Sequence, residues 1–148
     1  MPTVSTIAFK IPGPPKGKGR PRATRTGRMY TPKSTASYEN LVKLCYQQDS
    51  NGKRFEDAVT VNILVYYEIP KSYSKKKREE AMKGKLMPTK TPDCDNVIKI
   101  ILDALNGIAY SDDRQVTKVT LEKMYTDKAP STLVWMTGKI EETERNVA

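Results

Sequence analysis

The sequence predicts a compact α/β (α+β) single domain spanning 1–148, a small mixed β-sheet with helices packed on it. Three observations predict it. A chain of 148 residues suits one domain, with enough chain to bury roughly two-thirds of its unfolded surface. Its apolar residues switch along the chain between a period of two and a period of three to four. The segments so marked run strand, helix, strand, short helix, helix, strand, strand, the order of a sheet with helices against it. No internal repeat or low-complexity domain interrupts them.

Residues 4–11 alternate, Ile7, Phe9 and Ile11 against Ala8 and Lys10, and stop at Pro12. From 34 to 48, Tyr38, Leu41, Val42, Cys45 and Tyr46 recur at helical spacing, with Ser34 or Thr35 as the cap. Asn51-Gly52 marks a turn. Residues 58–69 are the clearest strand, with Val59, Val61, Ile63, Val65 and Tyr67 toward the core. Ser74 to Lys83 reads as a short basic helix started by Ser72 or Ser74 and stopped by Gly84. Residues 114–125 and 131–140 alternate on either side of a turn near Asp127-Pro130, which predicts a hairpin, and 141–148 is a charged tail that frays.

The most apolar run carries the most unusual charges. Val97, Ile98, Ile100, Ile101, Leu102, Ala104 and Leu105 mark a helix packed inside the domain, capped by Asp95 or Asn96 and stopped by Asn106-Gly107. Pro92 biases Thr91 toward extended backbone, so Asp93 and Asp95 are expected to project to one side. Lys99 and Asp103 stand one turn apart on the face of Asp95. Unpaired charge on a buried helix costs several kcal/mol, about what an ion pair or a cation must offset. Asp93, Asp95, Asp103, Asp112 and Asp113, with Lys99 among them, therefore form either a structural ion-pair cluster or a site completed by a cation. An all-oxygen donor set suits magnesium or manganese. A single Asp here is more simply a cap, and Cys94 a small, partly buried residue.

Lys and Arg number 26 against 17 Asp and Glu, a net charge of +9. The excess lies in residues 1–90, with 19 basic and 7 acidic side chains against 7 and 10 in the remainder, so this half attracts phosphate. Residues 12–33 form a Gly/Pro-rich loop without an acid, and the first carboxylate of the chain is Glu39. Lys16, Lys18, Arg20, Arg22, Arg25 and Arg28 are its candidate DNA-backbone contacts. Arg20-Pro21-Arg22 sends two forked donors to one side, and Tyr30 is a candidate for stacking on a base. The plainer alternative is a solvated surface loop. With no histidine in the chain, imidazole general bases and Ser-His-Asp chemistry are excluded, and two cysteines cannot build a four-thiolate zinc site. No run of about 18 apolar residues could span a membrane. The first residues lack an export signal, so a cytoplasmic protein is expected.

Pro92-Asp93-Cys94-Asp95-Asn96-Val97-Ile98-Lys99, then Asp103-Ala104-Leu105-Asn106-Gly107, then Asp112-Asp113-Arg114-Gln115-Val116 resembles the RusA family of Holliday junction resolvases. The family is likewise small and basic, with a Gly/Pro-rich, Arg-containing start. The resemblance implies a RusA-like fold and a metal-dependent endonuclease of DNA recombination and repair. It implies Mg2+, with Mn2+ substituting, as cofactor. The catalytic set it implies is Asp93, Asp95, Asp113 and Lys99, the three Asp as metal ligands, with Asp103, Asp112 and Asn96 in support. Of the Asp112-Asp113 pair, Asp113 is preferred. It further implies a homodimer acting on four-way junction or other branched DNA in the cytoplasm of a bacterial host cell, and the family is frequent in phages and prophages. The chain differs in a longer Lys/Gly-rich run before Arg20 and a Tyr/Thr-rich segment after it. Two alternatives stand beside this reading. One is a non-catalytic branched-DNA-binding protein with a structural Asp/Lys cluster, the other a nucleotide-dependent transferase holding a diphosphate through Asp93-Cys94-Asp95.

Overall fold

The computed structural model describes residues 4–19, 22–30 and 32–142. β1 (Val4–Pro12), β4 (Phe55–Glu68), β5 (Val116–Thr126) and β6 (Ser131–Ile140) form one sheet in the order β1-β6-β4-β5. The two-residue strands β2 (Arg22–Ala23) and β3 (Met29–Tyr30) pair with each other within the basic segment. The helices are α1 (Lys33–Ser50), α2 (Lys75–Met82) and α3 (Cys94–Leu105).

The period-two pattern decides which face of each strand is buried. Ile7, Phe9 and Ile11 of β1, Val59 to Tyr67 at odd positions of β4, and Val134 and Met136 of β6 lie in one core. Onto that face come Tyr38, Val42, Cys45 and Tyr46 of α1 and Val97, Ile100, Ile101, Ala104 and Leu105 of α3. The Phe9 and Tyr46 rings meet edge to face at 5.5 Å, joining sheet to helix. The opposite face, with Ala8, Leu64, Leu133 and Trp135, is half-buried to exposed.

Alternation does not name a strand's neighbour, and the expected β5–β6 hairpin is absent. β4 lies between them, antiparallel to β6 and parallel to β5. A parallel pair needs a long crossover, and residues 69–115, containing α2 and α3, supply it. α3, the apolar helix carrying the charges, is thus held beside α1 and against β5.

Two local features also differ from expectation. The residue capping α1 is Pro32, with no side-chain cap bond, and the Thr35 hydroxyl instead accepts the Gly19 N–H at 3.1 Å. The segment 12–33 is more than loop, because the β2–β3 pair closes a turn in which Thr24 N–H donates to the Arg28 carbonyl at 2.8 Å. Ser74 caps α2 as expected, accepting from Lys77 N–H.

Candidate active site

α3 begins at Cys94, one residue before the expected cap. Asp93 is the N-cap, with φ −70° and ψ 155°, and Asp95 sits in the first helical turn. The two carboxylates are therefore adjacent across a helix start rather than along an extended strand. Asp93 makes no side-chain cap bond, and both Asp93 and Asp95 are exposed. An N-cap Asp that does not cap leaves its oxygens free for another partner. Cys94 is exposed, so it is not the partly buried filler its residue type implied.

The stretch before Asp93 is tied to the end of β4, where the Tyr67 hydroxyl donates to the Pro92 carbonyl at 2.9 Å. Burial pushes the Tyr67 phenol up to about 12, with Cys94 and then Asp93 adding to the shift. Lys99 lies one turn beyond Asp95, largely exposed, its Nζ 3.9 Å from Oδ2 of Asp103. Asp103 also receives Lys18 at 3.2 Å, and Lys18 holds Oε2 of Glu39 at 2.7 Å. Burial draws the Lys18 pKa down, but the hydrogen bonds to Glu39 and Asp103 outweigh it, leaving the amine above its ordinary 10.5.

The Asp112-Asp113 pair divides its duties. Asp112 caps a short 3-10 turn, Asp113–Gln115, accepting from Arg114 N–H at 2.9 Å. Gln115 reaches back to the N–H groups of Ser111 and Asp112 and donates to the carbonyls of Phe55 and Asp57. Nearby, the Tyr110 hydroxyl donates to the Leu102 carbonyl at 2.8 Å. Its pKa is driven far up by burial, with the negative charge of Asp113, Asp103 and Asp112 adding to the shift.

The fold sets Asp93 and Asp95 at the N-terminus of α3 and Asp103 in its last turn, and the short turn that carries Asp112 and Asp113 also contacts α3. The ten-residue interval from Asp93 to Asp103 corresponds to about 15 Å of helix. Among the described residues no three Cys, Asp or Glu side chains stand together closely enough to hold one ion. For the divalent cation the motif implies, the donor chemistry fits, since exposed carboxylates at Asp93 and Asp95 suit a hard ion. A closed three-carboxylate cage is not formed by the described side chains.

The basic segment lies across this helix start. Lys18 N–H donates to the Asn96 carbonyl at 3.1 Å, and a Cβ on Gly17 would stand 3.1 Å from the Cβ atoms of both Pro92 and Asn96, a tight contact that any larger residue could make only by shifting the segment or its neighbours. Lys16 is exposed. Arg25, Arg28 and Tyr30 are exposed on the β2–β3 turn and strand. Arg20 lies outside the described residues, as does the side chain of Arg22. Sequence reasoning missed Glu39, Tyr67 and Tyr110. Glu39 left a faint signal as the first acid after a purely basic stretch, whereas the two tyrosines sit in apolar patterns that reveal only burial.

The model of the family described as Endodeoxyribonuclease RusA matches residues 12–137, from the basic segment through the carboxylates into the last strand. The chain is also 37% identical over 127 residues to the uncharacterized protein YqaN of Bacillus subtilis (strain 168), covering 82% of this chain and 89% of that protein. The match runs through both parts of the site, and the chain belongs to the RusA family of endodeoxyribonucleases, a membership that implies a Holliday-junction-resolving endonuclease.

Proposed function

We propose that this chain is a metal-dependent endonuclease that resolves Holliday junctions by paired, symmetric phosphodiester hydrolysis in recombination and repair, acting as a homodimer. The observation that carries this reading is the seating of the basic segment on the start of α3, with Gly17 against Pro92 and Asn96 and Lys18 bonded to Asn96. Phosphates attracted to Lys16, and to Arg20, Arg22, Arg25 and Arg28 further along the same segment in sequence, would be drawn toward the helix start that carries Asp93 and Asp95. Lys18 itself is engaged with Glu39 and Asp103, and its contribution is to hold the segment there.

Asp93, Asp95 and Asp113 are the proposed holders of Mg2+, for which Mn2+ would substitute. Such an ion, when bound, supplies hydroxide near neutral pH and neutralises charge on the phosphate. Lys99 presents its amine one turn from Asp95, toward solvent and toward the strand being cut, where it offsets developing negative charge. Asp103 orients that amine. Asn96 offers its carbonyl to the basic segment, and Asp112 holds the backbone from which Asp113 projects.

A two-fold dimer matches the near two-fold symmetry of a four-way junction and gives each of two strands one site. The exposed sheet face with Trp135 and Leu133 supports a second copy as its cover. The family's frequency in phages supports a role in processing branched phage DNA in the bacterial cytoplasm.

Cleavage of a labelled four-way junction, beside a linear duplex of the same sequence, with magnesium and with a chelator, tests the proposal. Paired nicks in the junction alone, and only with metal, are expected. Tight binding without cutting in either magnesium or manganese would favour the non-catalytic reading of the Asp/Lys cluster.

A further inference from the structure

A cavity of about 510 Å3 opens beside Asp93, and neither the motif nor the proposed hydrolysis uses it. Its walls come from four separate places in the chain: Pro14 and Pro15 of the basic segment, Tyr67 and Ile69 at the end of β4, Pro92, and Pro130 before β6. The walls are fastened to one another. Gly13 N–H donates to the Pro130 carbonyl at 3.0 Å, and the Tyr67 hydroxyl holds Pro92. Lys71 and Lys90 line the same cavity, with Glu68 the one acid beside them. The Lys90 amine stands 5.9 Å from the Tyr67 ring and 5.8 Å from the Tyr125 ring, and Lys123 lies 5.3 Å over Tyr67 while donating to the Lys90 carbonyl at 2.8 Å.

We infer that this cavity receives one unstacked nucleobase of the strand being cut, from a nucleotide flanking the scissile phosphate. The inference rests on the nuclease reading and adds the feature of the substrate that is recognised. Proline rings and the Tyr67 and Ile69 side chains give it largely apolar walls of the kind that accept a base, while lysines flank it where a backbone phosphate follows the base. Pro92 is a wall of the cavity and Asp93 is the next residue, so whatever fills the cavity lies within a nucleotide's length of the carboxylates. A base in intact duplex is stacked and paired and enters only at the cost of extrusion, whereas a base at a branch point is already partly freed. The cavity thereby favours branched over linear DNA without reading the arms of the junction.

The test places a single abasic nucleotide in turn on either side of the cut in a four-way junction and compares cleavage with the intact junction. The wild-type protein is expected to slow by about tenfold or more at one of the two positions, the size of one base-stacking interaction. Thr91→Trp, which fills the cavity from its rim, is expected to cut the intact junction slowly and to suffer no further loss from the abasic nucleotide. Equal wild-type rates on intact and abasic junctions overturn the inference and leave the nuclease reading standing. A Thr91→Trp protein that retains the abasic penalty overturns the placement in this cavity. Should Thr91→Trp fail to fold, the wild-type abasic series decides alone. No cutting of the intact junction by wild-type protein overturns the nuclease reading and this inference with it.

Discussion

The Lys18 ammonium lies 3.2 Å from Oδ2 of Asp103 while holding Oε2 of Glu39 at 2.7 Å, so one basic residue latches the segment 12–19 to both α1 and α3. All three side chains are partly exposed, and surface pairs of this kind contribute about 1 kcal/mol or less. Glu39→Gln combined with Asp103→Asn is therefore expected to lower the thermal midpoint only slightly while speeding tryptic cleavage of the basic segment several-fold. The folded-state pKa of Lys18 is raised above 10.5, so the latch contributes fully below that value and is lost as pH rises through the raised pKa. Protection from protease should be flat across neutral pH and fall only in strong alkali, which a pH series with a pH-tolerant protease measures.

Asp112→Asn and Asp113→Asn separate the duties of two neighbours. Asp112 accepts from Arg114 N–H, a role asparagine fills equally well, so its variant should keep its melting temperature and most of its turnover. Asp113→Asn should fold as well and lose cleavage by a factor of about 100 or more while still binding junction DNA, on the scale of removing a group that stabilises the transition state. Full cutting by Asp113→Asn would remove it from the proposed metal set.

Gly138 and Gly17 are among the glycines held by close approach rather than by turn geometry. At Gly138 a Cβ would stand 2.9 Å from the Ala58 carbonyl oxygen and 3.1 Å from Phe55, next to the irregular pairing of β4. Gly138→Ala should destabilise the fold by about 1–3 kcal/mol, the usual cost of overpacking, read as an earlier denaturant midpoint. Gly17→Ala instead pushes the basic segment off Pro92 and Asn96, and should weaken junction binding more than it lowers stability.

Arg25 and Arg28 are exposed on the small β2–β3 turn, beside Arg20 and Arg22 in sequence. Replacing Arg25 and Arg28 by alanine should lower junction affinity and flatten its dependence on log salt by about 2, one for each phosphate no longer neutralised. A salt titration by fluorescence anisotropy reads both, and an unchanged slope would move the DNA surface elsewhere.

Trp135 is 37% exposed on the sheet face opposite the helices, opposite Ala8 on one side and Asn62 on the other. If a second copy covers this face, Trp135→Lys should shift the protein from dimer to monomer in light scattering with little change in circular dichroism. A dimer that survives the substitution places its interface elsewhere.

The sequence by itself determined the identity and burial of nearly every element. Alternation in β1, β4 and β6 and the spacing in α1 and α3 report directly which side chains leave water, because each backbone period carries them to one face. Three short motifs likewise carried the family, and the family model confirms it across residues 12–137. Which strands are neighbours was not written there: a turn at Asp127-Pro130 is compatible with a hairpin, yet β4 is inserted between β5 and β6. The same limit applied to the site. Spacing put Asp93 and Asp95 together and Lys99 beside Asp103, all within one helix or its start. It did not show that Lys18, 85 residues before Asp103, closes on that carboxylate, or that Pro14, Tyr67, Pro92 and Pro130 enclose one cavity. Those groups are far apart in the chain, and only the packing of α1 against α3 for the ion pair, and the meeting of strand ends and loops for the cavity, brings them within reach.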